Sequence, residues 1–221
     1  MSTHRPILVT DNIYHLYNKS IADVPIFYSL ENLRRTLRLV DYYRYDQRVR
    51  LSKFCLLPPA YQQDYLTEIT KNQPLIDIFA FSFMPNHYHL LVKQLQNNGI
   101  KQFISNFQNS YSKSFNLINK RNGSLFLHSF KSKRIINKNL LTHVCRYIHI
   151  NHVTSRLIEF NQLASYSFSS YSWYLDQSLN KFINTNLITS YFKTEKKFIK
   201  FHKSQINYQR KLKEIKDSLF D

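Results

Sequence analysis

The sequence predicts an α+β fold: a ferredoxin-like antiparallel sheet with helices on one face, plus a basic, helical C-terminal appendage. Three observations predict it. Residues 75–93, LIDIFAFSFMPNHYHLLVK, place two β-rich runs on either side of Pro85 and Asn86, the pattern of a hairpin. Apolar side chains from Ile100 to Ile118 then recur at helical spacing. A strand-like and a helix-like segment precede the hairpin, and another of each comes after the long helix. Strand, helix, strand, strand, helix, strand, helix is the split βαβ order.

Taken in turn, residues 12–18, NIYHLYN, alternate and read as the first strand. Leu30, Leu33, Leu37 and Val40 sit at helical spacing, so a helix is expected from near Ser29 into the basic stretch ending at Lys53. Leu56 to Pro59 interrupts the pattern, and a short helix is expected through Tyr65 to Lys71. Leu75 to Met84 reads as a buried strand, Pro85 and Asn86 as a turn, and His87 to Lys93 as the returning strand. Ile100, Phe103, Ile104, Phe107, Tyr111, Phe115 and Ile118 trace one face of a long helix, which stops before the Asn122-Gly123 turn. SLFLHSFKSKRIIN is expected to be extended and to close on a strand near Ile135 and Ile136; a helix is expected from Leu140 through HVCRYIHINHV. Residues 1–155 form the expected core domain. Residues 156–221, with stretches such as FKTEKKFIKFHK, form the basic extension.

Composition narrows the partners. The 221 residues carry 31 Lys+Arg against 14 Asp+Glu, a formal charge of +17. Self-repulsion of that size opposes compaction and favours a polyanionic partner. No basic amphipathic helix with Trp and Leu anchors is evident, and no apolar run approaches the ~20 residues of a membrane span. Nucleic acid is therefore preferred over an anionic membrane. The N-terminal residues lack the order of a secretion signal, so a cytoplasmic location is expected. Cys55 and Cys145 show no metal-type spacing and are expected to be reduced. The 16 Tyr and 17 Phe are mostly core, with some available to stack on single-stranded bases.

His87 and His89 lie two apart on a strand and so project to the same side, with Tyr88 opposite. Two such imidazoles can share a divalent cation; half-buried histidines bonded to backbone explain the spacing equally well. A third ligand has to come from elsewhere. His143, Tyr147 and Asn151 are each four apart and line one face of the last core helix, beside an apolar face of Leu141, Val144, Cys145 and Ile148. The Asn151 amide oxygen can ligate a hard cation. Tyr147, one turn earlier, is then a candidate nucleophile towards a metal-polarised phosphodiester, or an ordinary rim tyrosine. Tyr111 ranks second, because packing already accounts for it. Tyr42, Tyr43, Arg44 and Tyr45 read as phosphate or base contacts, or as plain surface.

These residues resemble the single-tyrosine HUH transposases, and among them the REP-associated tyrosine transposase-like proteins. FMPNHYHLLV resembles that family's histidine–hydrophobic–histidine strand, and CRYIHINHV its catalytic helix. NIYHLYNKSIADVPIF is similar to the first strand and loop, and YSFSSYSWYL to a downstream Ser-Ser-Tyr segment. The resemblance spans residues 10–173 and implies cleavage of single-stranded DNA at or beside hairpins. It also implies a Mg²⁺ or Mn²⁺ ion, a 5′-phosphotyrosyl intermediate and a free 3′-hydroxyl. It makes His87, His89 and Asn151 the metal ligands and Tyr147 the nucleophile. A homodimer is likewise an implication of the resemblance, and no residue displays one. Two departures stand out. His152 occupies the place of a usual proline, so the helix can run on or the imidazole can reach the metal. LHSF replaces a glycine- and arginine-containing turn, with Lys131, Lys133 and Arg134 available to compensate as DNA contacts.

The leading reading is thus a metal-dependent tyrosine nickase and strand transferase. A non-catalytic DNA-hairpin-binding protein keeps the fold and charge but leaves the quartet His87, His89, Tyr147 and Asn151 without a purpose. An RNA-binding protein is the third reading, although NHYHLLV is not an RNA-recognition signature.

Overall fold

The first strand, β1 (Ile13–Lys19), alternates as expected: Tyr14 and Leu16 are buried on one side while His15 and Tyr17 face the other. The structure is a computed structural model and describes residues 7–211. Helix α1 (Leu30–Tyr43) starts at Ser29, whose hydroxyl accepts from the Asn32 amide. It ends ten residues short of Lys53. The Gln47 side chain donates to the Tyr42 carbonyl and the Tyr42 hydroxyl donates to the Val49 carbonyl, folding the chain back. A single turn, α2 (Leu51–Phe54), is all that remains of the expected continuation. Helix α3 (Pro59–Ile69) begins earlier than its apolar spacing indicated, with Pro59 in the first turn, where its missing N–H costs nothing.

Strands β2 (Ile76–Met84) and β3 (His87–Gln94) form the expected hairpin across Pro85 and Asn86. Helix α4 (Gly99–Ile118), strand β4 (Lys131–Ile135) and helix α5 (Lys138–Thr154) complete the predicted order. Asn137 caps α5 by accepting from the Leu140 amide. The sheet runs β2-β3-β1-β4 and every neighbouring pair is antiparallel, the ferredoxin-like topology.

The two crossover helices α1 and α4 share one face, as predicted. Tyr88 and Phe107 pack there edge to face at 5.6 Å, and Phe27 lies 5.1 Å from Tyr111. Helix α5 covers the other face, so the sheet is sandwiched between helical layers. Each buried Phe, Leu or Ile in these layers contributes ~1.5–3 kcal/mol over its exposed state.

Residues 156–211 share this core, contributing Leu163, Trp173, Phe198 and Ile206 among others. Helices α6 (Tyr171–Leu175), α7 (Asn186–Thr189) and α8 (Glu195–Lys203) confirm the helical character of the extension. The segment also seals the open edge of β2. Phe83 N donates to the Phe168 carbonyl, Ser170 N to Phe81, and Asn184 N to Ile78. A sheet edge buried in this way has its ladder groups satisfied and cannot recruit a foreign strand. Trp173 and Tyr174 add buried area, with Trp173 5.1 Å from Phe81 and the Tyr174 hydroxyl donating to the Phe79 carbonyl at a β-bulge. Cys55 and Cys145 are both free thiols. Among the described residues no helix is long and apolar enough to cross a membrane.

Candidate active site

Register and pleat place the site on the α5 face of the sheet. His89 pairs with Tyr17 on β1 and Ser82 on β2; Tyr17 in turn pairs with Lys131 on β4. The next row of that face is Leu91, His15 and Lys133. His87 lies at the start of β3, directly after the hairpin turn. That turn is held rigidly: the Pro85 carbonyl accepts from the Ile26 and Phe27 amides, and the Asn86 carbonyl accepts from Ser20.

The two histidines are oriented by partners. Asn86 donates its side-chain N–H to Asp23, which an ion pair of 2.6 Å ties to Lys19. The Asn86 amide oxygen therefore faces His87 Nδ1, 2.6 Å away. An amide oxygen only accepts, so His87 donates from Nδ1 and its lone pair resides on Nε2. His89 lies 5.1 Å from His87, ring to ring, and its Nδ1 is 2.9 Å from His15 Nε2. Burial, and then the neighbouring His15, His87 and His152, hold His89 well below the usual imidazole range. Burial, helped by the Lys133 charge, pushes His15 down to about 4. Both rings are neutral at pH 7, the state a metal ligand requires.

Tyr147 crosses this pair from α5. Its ring meets His89 edge-on at 5.4 Å and His15 at 6.0 Å. It is 37% exposed, enough for a substrate to reach the phenol. Burial and then the nearby Tyr17 raise its pKa, so the phenol is protonated at neutral pH and gives up its proton only as it reacts. Asn151, one turn on, is 6% exposed, and its side-chain nitrogen has no hydrogen-bond partner. An amide not committed to the protein's own network can turn about its last torsion and present its oxygen instead.

The donor types, two imidazoles and an amide, are ones that divalent cations accept. Among the described residues no group of three His, Cys, Asp or Glu side chains is disposed to hold one. The candidate set is instead two imidazoles with a buried amide whose nitrogen has no partner, a mixed N/O set that suits Mn²⁺ and leaves Mg²⁺ dependent on further oxygen ligands.

The other candidates separate cleanly. His152 does not reach outward: it is fully buried, its Nε2 donates to the Phe83 carbonyl and its Nδ1 lies 3.3 Å from the Ser82 hydroxyl. It therefore fastens α5 to β2, and the helix runs on to Thr154. Tyr111 lies on the opposite face, buried, donating to the Ile26 carbonyl and pushed by burial up to about 12. Lys131 and Lys133 fall on the site's face of β4. Arg134 does not, because alternation turns it to the far face, where it donates to Asn12 Oδ1. Arg44 lies off that face as well. It caps α1 beneath the other face, pairs with Asp41 at 2.8 Å, lies over the Tyr45 ring, and its carbonyl accepts from Leu75. His143 turns towards α8, taking Arg146 as partner and Phe201 as ring neighbour. Two site residues were missed in the sequence, His15 and Tyr17. Their two-residue spacing in NIYHLYN, the same as that of His87 and His89, was the available signal.

Comparison with known proteins bears on the family and the fold. The family model described as "Transposase IS200 like" matches residues 61–151, which contain β2, β3, α4, β4 and most of α5. No curated protein matches the chain. A solved REP-associated tyrosine transposase bound to a REP hairpin is similar in fold, with TM-score 0.50 and 14% identity over 82% of this chain and 89% of that one. A putative transposase from Deinococcus radiodurans R1 aligns with TM-score 0.37 and 14% identity, over 67% of this chain and 95% of its own. The resemblance to this group of transposases is borne out over residues 61–151 by the family match, and the fold is shared with the REP-associated structure.

Proposed function

We propose that this IS200-like transposase-related chain acts in the cytoplasm as a metal-dependent nickase and strand transferase on single-stranded DNA beside hairpins, with Tyr147 as nucleophile. The observation that carries the reading is the meeting of Tyr147 with His89, which in turn neighbours His87; Tyr147 and His89 are 58 residues apart in sequence and meet at an accessible point of a basic protein. The DNA-bound state of the similar REP-associated transposase supports a DNA hairpin as the partner.

His87, His89 and Asn151 would hold Mg²⁺ or Mn²⁺. When bound, the cation polarises the scissile phosphate and offsets charge on its oxygens. The chain's own part is positioning and nucleophilic attack. Tyr147 Oη bonds to phosphorus, the bond to the 3′-oxygen breaks, and the phenolic proton passes through solvent to leave a 3′-hydroxyl. The 5′-phosphate stays on Tyr147, so a second 3′-hydroxyl can reverse the exchange onto another strand without consuming water. Lys131 and Lys133 contact backbone phosphates on the same face.

A labelled hairpin with a single-stranded flank, incubated with Mn²⁺ and then denatured, tests this. Label is expected to stay on the wild-type protein and not on Tyr147→Phe, with hairpin binding retained by both. Tight binding without label in the wild type would favour a non-catalytic hairpin-binding protein.

A further inference from the structure

Three buried clusters lie outside the roles assigned so far: His15 beside His89, the His149–His202–Ser170 chain under α8, and Arg146 between α5 and α8. The last two lie behind α5, away from the Tyr147 face, and hold elements together. His15 is different. It is a buried imidazole on the site's own face, 8% exposed, in van der Waals reach of Tyr147 and hydrogen-bonded to a candidate ligand.

We infer that His15 is a positioning residue for His89: its Nε2 accepts the His89 Nδ1 proton, which fixes the His89 tautomer and leaves the His89 Nε2 lone pair for the cation. This rests on the reading of His89 as a metal ligand. The argument is one of proton count. Between His15 Nε2 and His89 Nδ1, 2.9 Å apart, there is room for one proton. If His15 supplied it, neutral His89 would carry its own proton on Nε2 and could not ligate through that atom. If His89 supplies it, Nε2 is the basic nitrogen. His87 is oriented in the same sense, donating Nδ1–H to Asn86. The two imidazoles thus present the same nitrogen, each backed by its own acceptor. Metal-bound histidines generally hold their tautomer through such a partner, and losing it costs roughly 10–100-fold in metal affinity. Stacking with His89 at 5.0 Å keeps the acceptor in place. The β1 register delivers His15 there without a loop, because residues 15 and 17 flank His89 from the adjacent strand.

Two readouts test this. In the metal-free wild type, nitrogen-15 NMR of the histidine rings should show His89 protonated on Nδ1; protonation on Nε2 overturns the inference without any variant. Mn²⁺ binding monitored by electron paramagnetic resonance is the second. His15→Phe should weaken Mn²⁺ roughly 10–100-fold, whereas His15→Gln, whose amide oxygen can accept the same proton, should stay within a few-fold of wild type. Circular dichroism checks that both variants fold. Equal affinity in wild type and His15→Phe, or equal loss in both variants, overturns the assignment. His89→Ala serves as the marker for the underlying reading. A wild type that binds no Mn²⁺ defeats the metal site and this inference together, while binding abolished by His89→Ala but untouched by His15→Phe defeats this inference alone.

Discussion

Mild acid should unfold this protein through its buried histidines. His202 Nδ1 lies 2.8 Å from the Phe198 carbonyl, His202 Nε2 2.9 Å from His149 Nδ1, and His149 Nε2 3.0 Å from the Ser170 hydroxyl. A carbonyl only accepts, so neutral His202 donates from Nδ1 and accepts from His149 on Nε2; the Ser170 hydroxyl lies against His149 Nε2 while donating to the Phe81 carbonyl. Both rings are buried and neutral, and one added proton would bring a charge into the interior. Burial pushes His202 down to about 3 and His152 to about 4; burial, and then His202, hold His149 well below the ordinary 6.5. The unfolded chain takes these protons at its ordinary pKa, while the folded state refuses them until much lower pH. Stability is therefore complete above ~6.5 and is lost as pH falls through the window towards 4. At pH 5.5, a unit below the unfolded value, each group that stays neutral costs about 1 kcal/mol; with His15 and His89 held down in the same way, the total of several kcal/mol is a large share of a typical ~5–15 kcal/mol. Urea unfolding at pH 7.5, 6.5 and 5.5 measures this; with a slope of ~2–3 kcal/mol per M, the midpoint should drop by roughly 1–2 M. His202→Gln removes one titrating group and should recover about 1 kcal/mol of the acid loss. A midpoint that is flat or rises towards pH 5.5, or an unchanged loss in His202→Gln, would refute the reasoning.

The same geometry sets other outcomes. Changing Lys131 and Lys133 together to Ala should lower the salt slope of single-strand binding by ~1.4, at ~0.7 per lost phosphate contact; Arg134→Ala and Arg44→Ala, which lie off the site's face, should leave the slope unchanged in the same titration. Gly99→Ala should destabilise, because a Cβ there runs into the Leu75 carbonyl oxygen. A strain of ~1–3 kcal/mol exceeds the gain of up to ~1 kcal/mol in helix propensity, and calorimetry should show a lower Tm. Tyr174→Phe should cost ~0.5–1.5 kcal/mol by leaving the Phe79 carbonyl at the bulge without its donor, read from chemical denaturation.

The hairpin, the long helix and the site strand were legible because each carries its own periodicity. Residues 87 and 89 had to share a face, and α5 had to present Tyr147 and Asn151 together. The end of α1 was not legible, since it is set by the Gln47 side chain and by Leu75, neither of which alters the apolar spacing of 30–40. The covering of β2 by residues 168–184 was hidden for a related reason: backbone pairing across some 90 positions leaves little mark in local pattern. Arg134 shows the limit of reading charge without the pleat, as one step along β4 turned it from the site while Lys133 stayed. His15 and Tyr17 were within reach of the alternation argument, but their strand was read as scaffold.

Mapping the DNA adduct by mass spectrometry tests the central claim most directly, because Tyr17 stands beside the same imidazoles, 5.7 Å from His89. After incubation with a hairpin substrate and Mn²⁺, digestion should yield one nucleotide-bearing peptide, modified at Tyr147. An adduct on Tyr17 or any other tyrosine, or cleavage that leaves no adduct at all, would contradict the assignment.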